Sequence, residues 1–227
     1  MDMNGAATDV GMEGLNKCLS SFVDAGTVES HRYYLARRTV LEMLRDRDYA
    51  VPMADIDISL QEFRAKRGDR TDLDDMTITS LHKYDPDNKV QVIFCGSSVI
   101  KVSTIRGILN GIANKETLNR LILVVENQLT NQATKAVELF PCKVEIFQVK
   151  DLLVNITKHA LRPKHQILSD EEKQKLLEKY NLEEKQLPRM LQKDAIARYY
   201  GLERGQVVKV TYTGEIIETH VTYRCVW

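Results

Sequence analysis

Leu121-Ile122-Leu123-Val124-Val125 is an unbroken aliphatic run between the charges of Arg120 and Glu126. Five such residues are too few for a helix of ordinary length, and the run predicts a buried strand. The pattern repeats on either side. Val90–Phe94 is a second short apolar run, and Lys143–Gln148 carries Val144 and Ile146, with Val149 just beyond. Between these strands lie two helical stretches. Ser103–Asn114 puts Ile105, Ile108, Leu109 and Ile112 on one side, and Gln132–Phe140 follows the central run. Strand, helix, strand, helix, strand is the rhythm of a small α/β sheet with flanking helices.

Upstream, Ser30 is placed to cap a helix over Ser30–Arg47, with Tyr33, Tyr34, Val40, Leu41 and Leu44 inward. Arg37, Arg38, Glu42, Arg45 and Asp46 are expected to face away. Ser59 and Glu62 have the spacing of a capping box, with Leu60 and Phe63 packing inward. Met76, Ile78 and Ser80 alternate as in a strand, and Asp85-Pro86-Asp87-Asn88 reads as a turn. Residues 1–28 read as an extension, with Leu15, Leu19, Phe22 and Val23 offering a short docking helix.

The pattern changes after Asp151, so a domain boundary is expected near residue 157. Leu152–Lys158 is predicted as a short amphipathic helix, broken at Leu161-Arg162-Pro163. His165–Leu168 reads as a strand. Ser169 and Glu172 form another capping box, opening a helix to Tyr180 with Leu176 and Leu177 inward. Leu187-Pro188-Arg189 is extended. Asp194 is expected to cap Ala195–Tyr200, with Gly201 as its left-handed terminator. Two strands, Val207–Tyr212 and His220–Cys225, turn around Thr213-Gly214. The expected class is therefore a two-domain α/β and α+β chain.

Composition narrows the function. The 227 residues hold 32 Lys and Arg against 32 Asp and Glu, and 43% are hydrophobic. A net charge of zero argues against a free-standing nucleic-acid binder, which shows a basic excess. No apolar run approaches the ~18 residues of a membrane span, and residues 1–14 lack the features of a secretory signal. Cys18, Cys95, Cys142 and Cys225 are dispersed, which predicts free thiols and no zinc site. The phosphate-binding glycine loops and the hydrolase and metalloprotease motifs are absent from the sequence. His159 and His165 lie six apart around Pro163. A metal pair there would need a third ligand that the sequence does not offer nearby, and hydrogen-bonding histidines at a junction are expected instead. These features predict no cofactor, no small-molecule substrate and no stand-alone catalysis.

The C-terminal motifs carry a family resemblance. His159-Ala160-Leu161-Arg162-Pro163-Lys164-His165, Leu187-Pro188-Arg189, Asp194-Ala195-Ile196-Ala197-Arg198-Tyr199-Tyr200-Gly201, Arg204-Gly205-Gln206-Val207-Val208-Lys209-Val210 and Tyr223-Arg224 follow in order. This resembles the fifth subunit of eukaryotic nuclear DNA-directed RNA polymerases, whose shorter archaeal counterpart corresponds to this part alone. Ser30-His31-Arg32-Tyr33, Leu123-Val124-Val125 and Val144-Glu145-Ile146-Phe147 resemble the N-terminal domain of the same family. Within it, the long extension, the helix from His31 to Arg38 and the ending Arg224-Cys225-Val226-Trp227 resemble the variant used by plant RNA polymerase V. The subunit shared by polymerases I, II and III is the alternative.

The resemblance implies a restriction-endonuclease-like α/β jaw over 29–156 and a small α+β assembly domain over 157–227. It implies a nuclear location, a place in the lower jaw near downstream DNA, and anchoring on the largest subunit. Nucleases of that fold cut with a carboxylate–carboxylate–lysine set. The strand ending at Glu126 leads into Asn127-Gln128 without the needed lysine, so no cleavage is expected.

The assembly surface expected from these motifs comprises His159, Pro163, His165, Leu187, Pro188, Arg189, Arg198, Tyr199, Tyr200, Gly201, Arg204, Gly205, Val207, Lys209 and Arg224. Pro163 and Pro188 pre-extend the backbone and reduce the entropy lost on docking. Leu187 is expected to enter a partner's pocket while Arg189 reaches an acidic rim. Arg198, Tyr199 and Tyr200 are interface residue types, although one tyrosine could instead fill the small domain's core. Val207, Val208 and Val210 form a strand whose edge could pair with another chain. Arg64, Lys66, Arg67 and Arg70 are the candidate DNA-proximal residues. They stand beside Asp69, Asp72, Asp74 and Asp75, as in a solvated mixed-charge loop, and only weak duplex binding is expected of the chain alone.

Overall fold

The computed structural model describes residues 27–68, 73–96, 99–112, 117–159, 161–213 and 219–227. The expected docking helix within 14–23, Arg70 and the turn at Gly214 lie outside these residues, as do Cys18 and the Leu109 side chain.

Two four-stranded sheets organise the chain. The first has the order β1-β2-β3-β4, with β1 (Ile78–Leu81), β2 (Lys89–Phe94), β3 (Leu118–Val125) and β4 (Lys143–Gln148). β1 runs antiparallel to β2, and β2, β3 and β4 are parallel. The aliphatic run is the middle of β3. Ile122 and Val124 face a core shared with helix α1 (Val28–Asp46). Leu121, Leu123 and Val125 face the opposite core, with α4 (Val102–Gly111) and α5 (Asn131–Glu138). Helices on both faces explain why this strand does not alternate polar and apolar residues.

Two short helices, α2 (Met53–Ile56) and α3 (Leu60–Arg67), lie between α1 and β1. The capping box at Ser59 and Glu62 is present, and Phe63 is buried while Leu60 is half-buried. The cap of α1 differs from expectation. Thr27, not Ser30, accepts from the Ser30 amide, and the helix starts at Val28. Ser30 falls on the buried face of α1, because the stripe Ser30-Tyr33-Ala36-Val40 packs inward as one row.

The second sheet has the order β5-β7-β8-β6, with β5 (Lys164–Ile167), β6 (Arg189–Met190), β7 (Val207–Tyr212) and β8 (His220–Val226). α6 (Asp170–Tyr180) carries the expected Ser169–Glu172 box. α7 (Ala195–Tyr200) is capped by Asp194 and ended by Gly201 at φ +64°. β7 is an interior strand, hydrogen-bonded on both sides, so Val207, Val208 and Val210 present no free edge.

The helix expected over Leu152–Lys158 is absent. Two 3-10 turns, Val149–Leu152 and Ile156–Lys158, flank Asn155 instead. Asn155 is buried and uses its side chain on Thr157, Glu42 and Tyr199, which a continuous helix in this place would not allow.

Candidate functional site

The expected assembly residues fall into three groups. The largest lies where the two sheets meet. Arg47, at the end of α1, projects its guanidinium under the C-terminus of α7. Its Nε donates to the Tyr199 carbonyl at 2.7 Å, and Nη2 donates to the Arg198 carbonyl at 2.6 Å. The last carbonyls of a helix lack intrahelical partners and carry partial negative charge, so a buried cation satisfies both needs. Arg47 also pairs with Glu145 of β4 at 2.8 Å, and its side chain is only 4% exposed.

Glu145 is shared with Arg120 of β3. Burial pushes the Glu145 carboxyl up, but the two guanidiniums outweigh it and hold the group below the usual range. Lys143 extends the network to Glu203, at 2.8 Å. Gly201 sits within this cluster. A Cβ there would lie 2.7 Å from Arg120 Nη1 and 3.0 Å from Arg47, so left-handed backbone and close approach both require glycine.

A second set of bonds lies beside the first. Tyr199 is buried; its hydroxyl donates to Asp46 at 2.8 Å and accepts from Asn155. Asn155 also donates to Glu42 at 2.7 Å, and Lys158 and Arg38 pair with the same carboxylate. Glu42 was expected to face solvent, yet it is 2% exposed. Burial raises its pKa, while the bonds from Asn155 and Lys158 and the nearby cations bring it below the ordinary value. Arg198 turns back onto β4, donates to the Ile146 carbonyl at 2.6 Å and lies 4.6 Å over the Phe147 ring. Tyr200 accepts from Arg162 at 3.1 Å. Arg198, Tyr199, Tyr200 and Gly201 thus join the chain to itself.

The second group lies at the far end of the small sheet. Leu187 is buried with Leu176, Val207 and Cys225, so its side chain fills the chain's own core rather than projecting to a partner. Exposed Pro188 accepts from the Cys225 amide through its carbonyl. The Arg189 and Arg204 guanidiniums lie 4.2 and 5.3 Å from the Trp227 ring centre, and both residues are exposed. Gly205 has φ +89° and donates to the Val226 carbonyl. A cleft of about 540 Å³ opens here, between Glu183–Lys185 and Trp227.

The third group borders β5. His159 is exposed, and its Nδ1 accepts from the Leu161 amide at 3.2 Å. The Nδ1 of half-buried His165 lies 2.8 Å from the Pro163 carbonyl. Burial and the Arg162 charge lower the His165 pKa. Lys209 and Arg224 are half-buried on β7 and β8. Among the described residues, no three His, Cys, Asp or Glu side chains gather as a metal site.

The described candidate DNA-proximal residues lie on a helix rather than in a loop. Arg64, Lys66 and Arg67 belong to α3, because Phe63 anchors that turn in the core. Arg64 donates to Ser30 Oγ, and Arg67 covers the Phe63 ring at 5.2 Å. Lys66 is exposed. Sequence reasoning missed Arg47, Arg120, Glu145 and Asn155, whose partners are remote in the chain.

Comparison with known proteins identifies the family. Residues 27–112 match the RNA polymerase Rpb5 N-terminal domain, and residues 154–226 match the Rpb5 C-terminal domain. DNA-directed RNA polymerase V subunit 5A of Arabidopsis thaliana is 59% identical over 92% of this chain and 95% of its own length. Subunit 5B of polymerases IV and V, from the same plant, is 54% identical over 95% of this chain and all of its own length. The RPABC1 subunit of polymerases I, II and III from Caenorhabditis elegans is 37% identical over 88% of this chain and 97% of its own. With both domain models matched and relatives aligned along nearly their full lengths, the chain belongs to the Rpb5 family of DNA-directed RNA polymerase subunits.

Proposed function

We propose that this chain is a non-catalytic subunit of a plant nuclear RNA polymerase V, with residues 29–156 as lower jaw and 157–227 as assembly domain. In that role it supports non-coding scaffold transcription for RNA-directed DNA methylation. Greater identity to the polymerase V subunits than to the shared subunit favours this assignment.

The observation that carries the assembly role is the stacking of exposed Arg189 and Arg204 on half-buried Trp227, beside its cleft. Arginine and tryptophan are the residue types that dominate interface energies. The largest subunit is the proposed partner, with an acidic rim meeting Arg189. The jaw contributes surface near downstream DNA, with Lys66 the exposed member of the candidate set on α3, while larger neighbours supply most of the grip.

Affinity purification of the tagged full chain, followed by identification of the largest subunit, tests the assignment. Recovery of the polymerase V subunit supports it. Recovery of the polymerase I, II and III subunits alone supports the shared-subunit reading, which the 37% identical relatives also represent.

A further inference from the structure

The outer edge of the first sheet holds an arginine without a partner. Arg37 projects from α1 toward β1 and makes no hydrogen bond or ion pair among the described residues; its Nε is fully buried. A second unmet donor belongs to Arg67, whose Nε is also buried and unbonded while its Nη2 donates to the Asp75 carbonyl at 3.3 Å; the Arg67 charge, after burial itself, depresses the Arg37 pKa. Two like charges with unmet donors are costly to hold together unless an anion joins them. Among the described residues, Asp55 is the carboxylate whose charge acts on Arg37, and it does so without a direct bond.

The same place has an open strand edge. Residues 48–50 cover the end of β1: the Ala50 amide donates to the Leu81 carbonyl at 2.8 Å, and Tyr49 bridges to His82. Leu81 therefore turns its polar groups away from β2. In an antiparallel ladder this outward orientation recurs at every second residue, so Thr79 turns its amide and carbonyl outward as well. The covering segment leaves at Val51-Pro52 before it reaches Thr79. A cleft of about 180 Å³ is left there, with Arg37 at one wall and Thr77, Thr79 and Ser80 at the other.

We infer that this cleft receives an extended segment of another protein chain, which adds as a short strand beside Thr79 and places a carboxylate on Arg37. The edge presents a donor and an acceptor together, which a peptide matches and a phosphate chain does not. A carboxylate accepts the guanidinium donors in a plane, whereas the more highly charged phosphate would face Asp55 across a small space. The site lies on the opposite edge of the sheet from the interdomain junction. Its occupant is therefore distinct from the partner proposed for the Trp227 cleft.

The test uses the assembled polymerase, purified through the tagged full chain, with the photo-cross-linker p-benzoylphenylalanine placed at Thr77 and, as control, at Tyr84. The expected result is a cross-link from position 77 to a segment of another subunit that contains Asp or Glu. Its yield falls about tenfold with Arg37→Gln, falls likewise with Thr79→Pro, and recovers in part with Arg37→Lys. Proline is tolerated where an edge amide faces away from the ladder. Arg37→Gln removes a costly unpaired charge, so the isolated full chain keeps or raises its melting temperature. Four outcomes overturn the inference: no cross-link above the Tyr84 control, a cross-link to nucleic acid, a cross-linked segment without a carboxylate, or a yield insensitive to Arg37→Gln.

Discussion

Arg198 and Arg189 belong to neighbouring motifs of the small domain and have the same chemistry, yet they have opposite fates. Arg198 is spent inside the molecule, on the Ile146 carbonyl and the Phe147 ring. Arg189 stands outside, stacked on Trp227 with its charge toward solvent. The same division separates the two regions. The junction is a closed set of bonds among Arg47, Glu145, Asn155, Tyr199 and Gly201. The tip is an aromatic ring flanked by two exposed cations that make no ion pair among the described residues. Residue type alone does not make an interface with another protein; the satisfied member of such a pair is structural, and the unsatisfied one is available.

Breaking the junction gives the largest expected effect. Arg47→Ala leaves two helix-end carbonyls unbonded and Glu145 with Arg120 alone. A loss of about 3–5 kcal/mol in urea unfolding is expected. An unchanged midpoint would erase the distinction between the two regions. Gly201→Ala comes next, at about 2–3 kcal/mol, because a Cβ strains the left-handed turn and displaces Arg120. Tyr199→Phe removes one hydroxyl and its two bonds, and about 1 kcal/mol is expected. At the tip, Arg189→Ala should change stability by less than about 0.5 kcal/mol, while co-purification with the largest subunit weakens. A matching loss of stability in that variant would show that the tip is structural too.

Acid sharpens the same contrast. Glu145 and Glu42 both titrate below their ordinary value of 4.5 in the folded chain. Their contribution is therefore complete above that pH and is lost as pH falls through the lower folded values. Unfolding midpoints measured from pH 6 down to about pH 3 should drop in the wild type. The drop should be smaller in Glu145→Gln, which has no such proton to take up.

Much of this architecture was legible in local sequence. The Leu121–Val125 run, the Ser59 and Ser169 capping boxes, and the span from Asp194 to Gly201 each depend on neighbours within a few residues. The junction was not legible for the same reason. Arg47 meets Glu145 across 98 residues, and Glu42 meets Asn155 across 113. On a helical pattern Glu42 reads as solvent-facing, because its burial is created by a segment that arrives from far along the chain. Ser30 was expected as the cap of α1, but the buried row that begins at Ser30 moves the cap three residues back, to Thr27. Leu187 read as a partner anchor because Pro188 extends its segment beside Arg189, while its own side chain completes a core of four buried residues.

The guanidinium of Arg47 beneath α7 also sets an order of events during synthesis. Arg47 leaves the ribosome well before the carbonyls of Arg198 and Tyr199 exist to accept its hydrogen bonds. The first sheet must wait, with one buried-to-be cation still hydrated, until α7 and Gly201 have emerged. Translation that stops before residue 198 therefore yields a first domain in which Arg47 lacks both of its carbonyl acceptors.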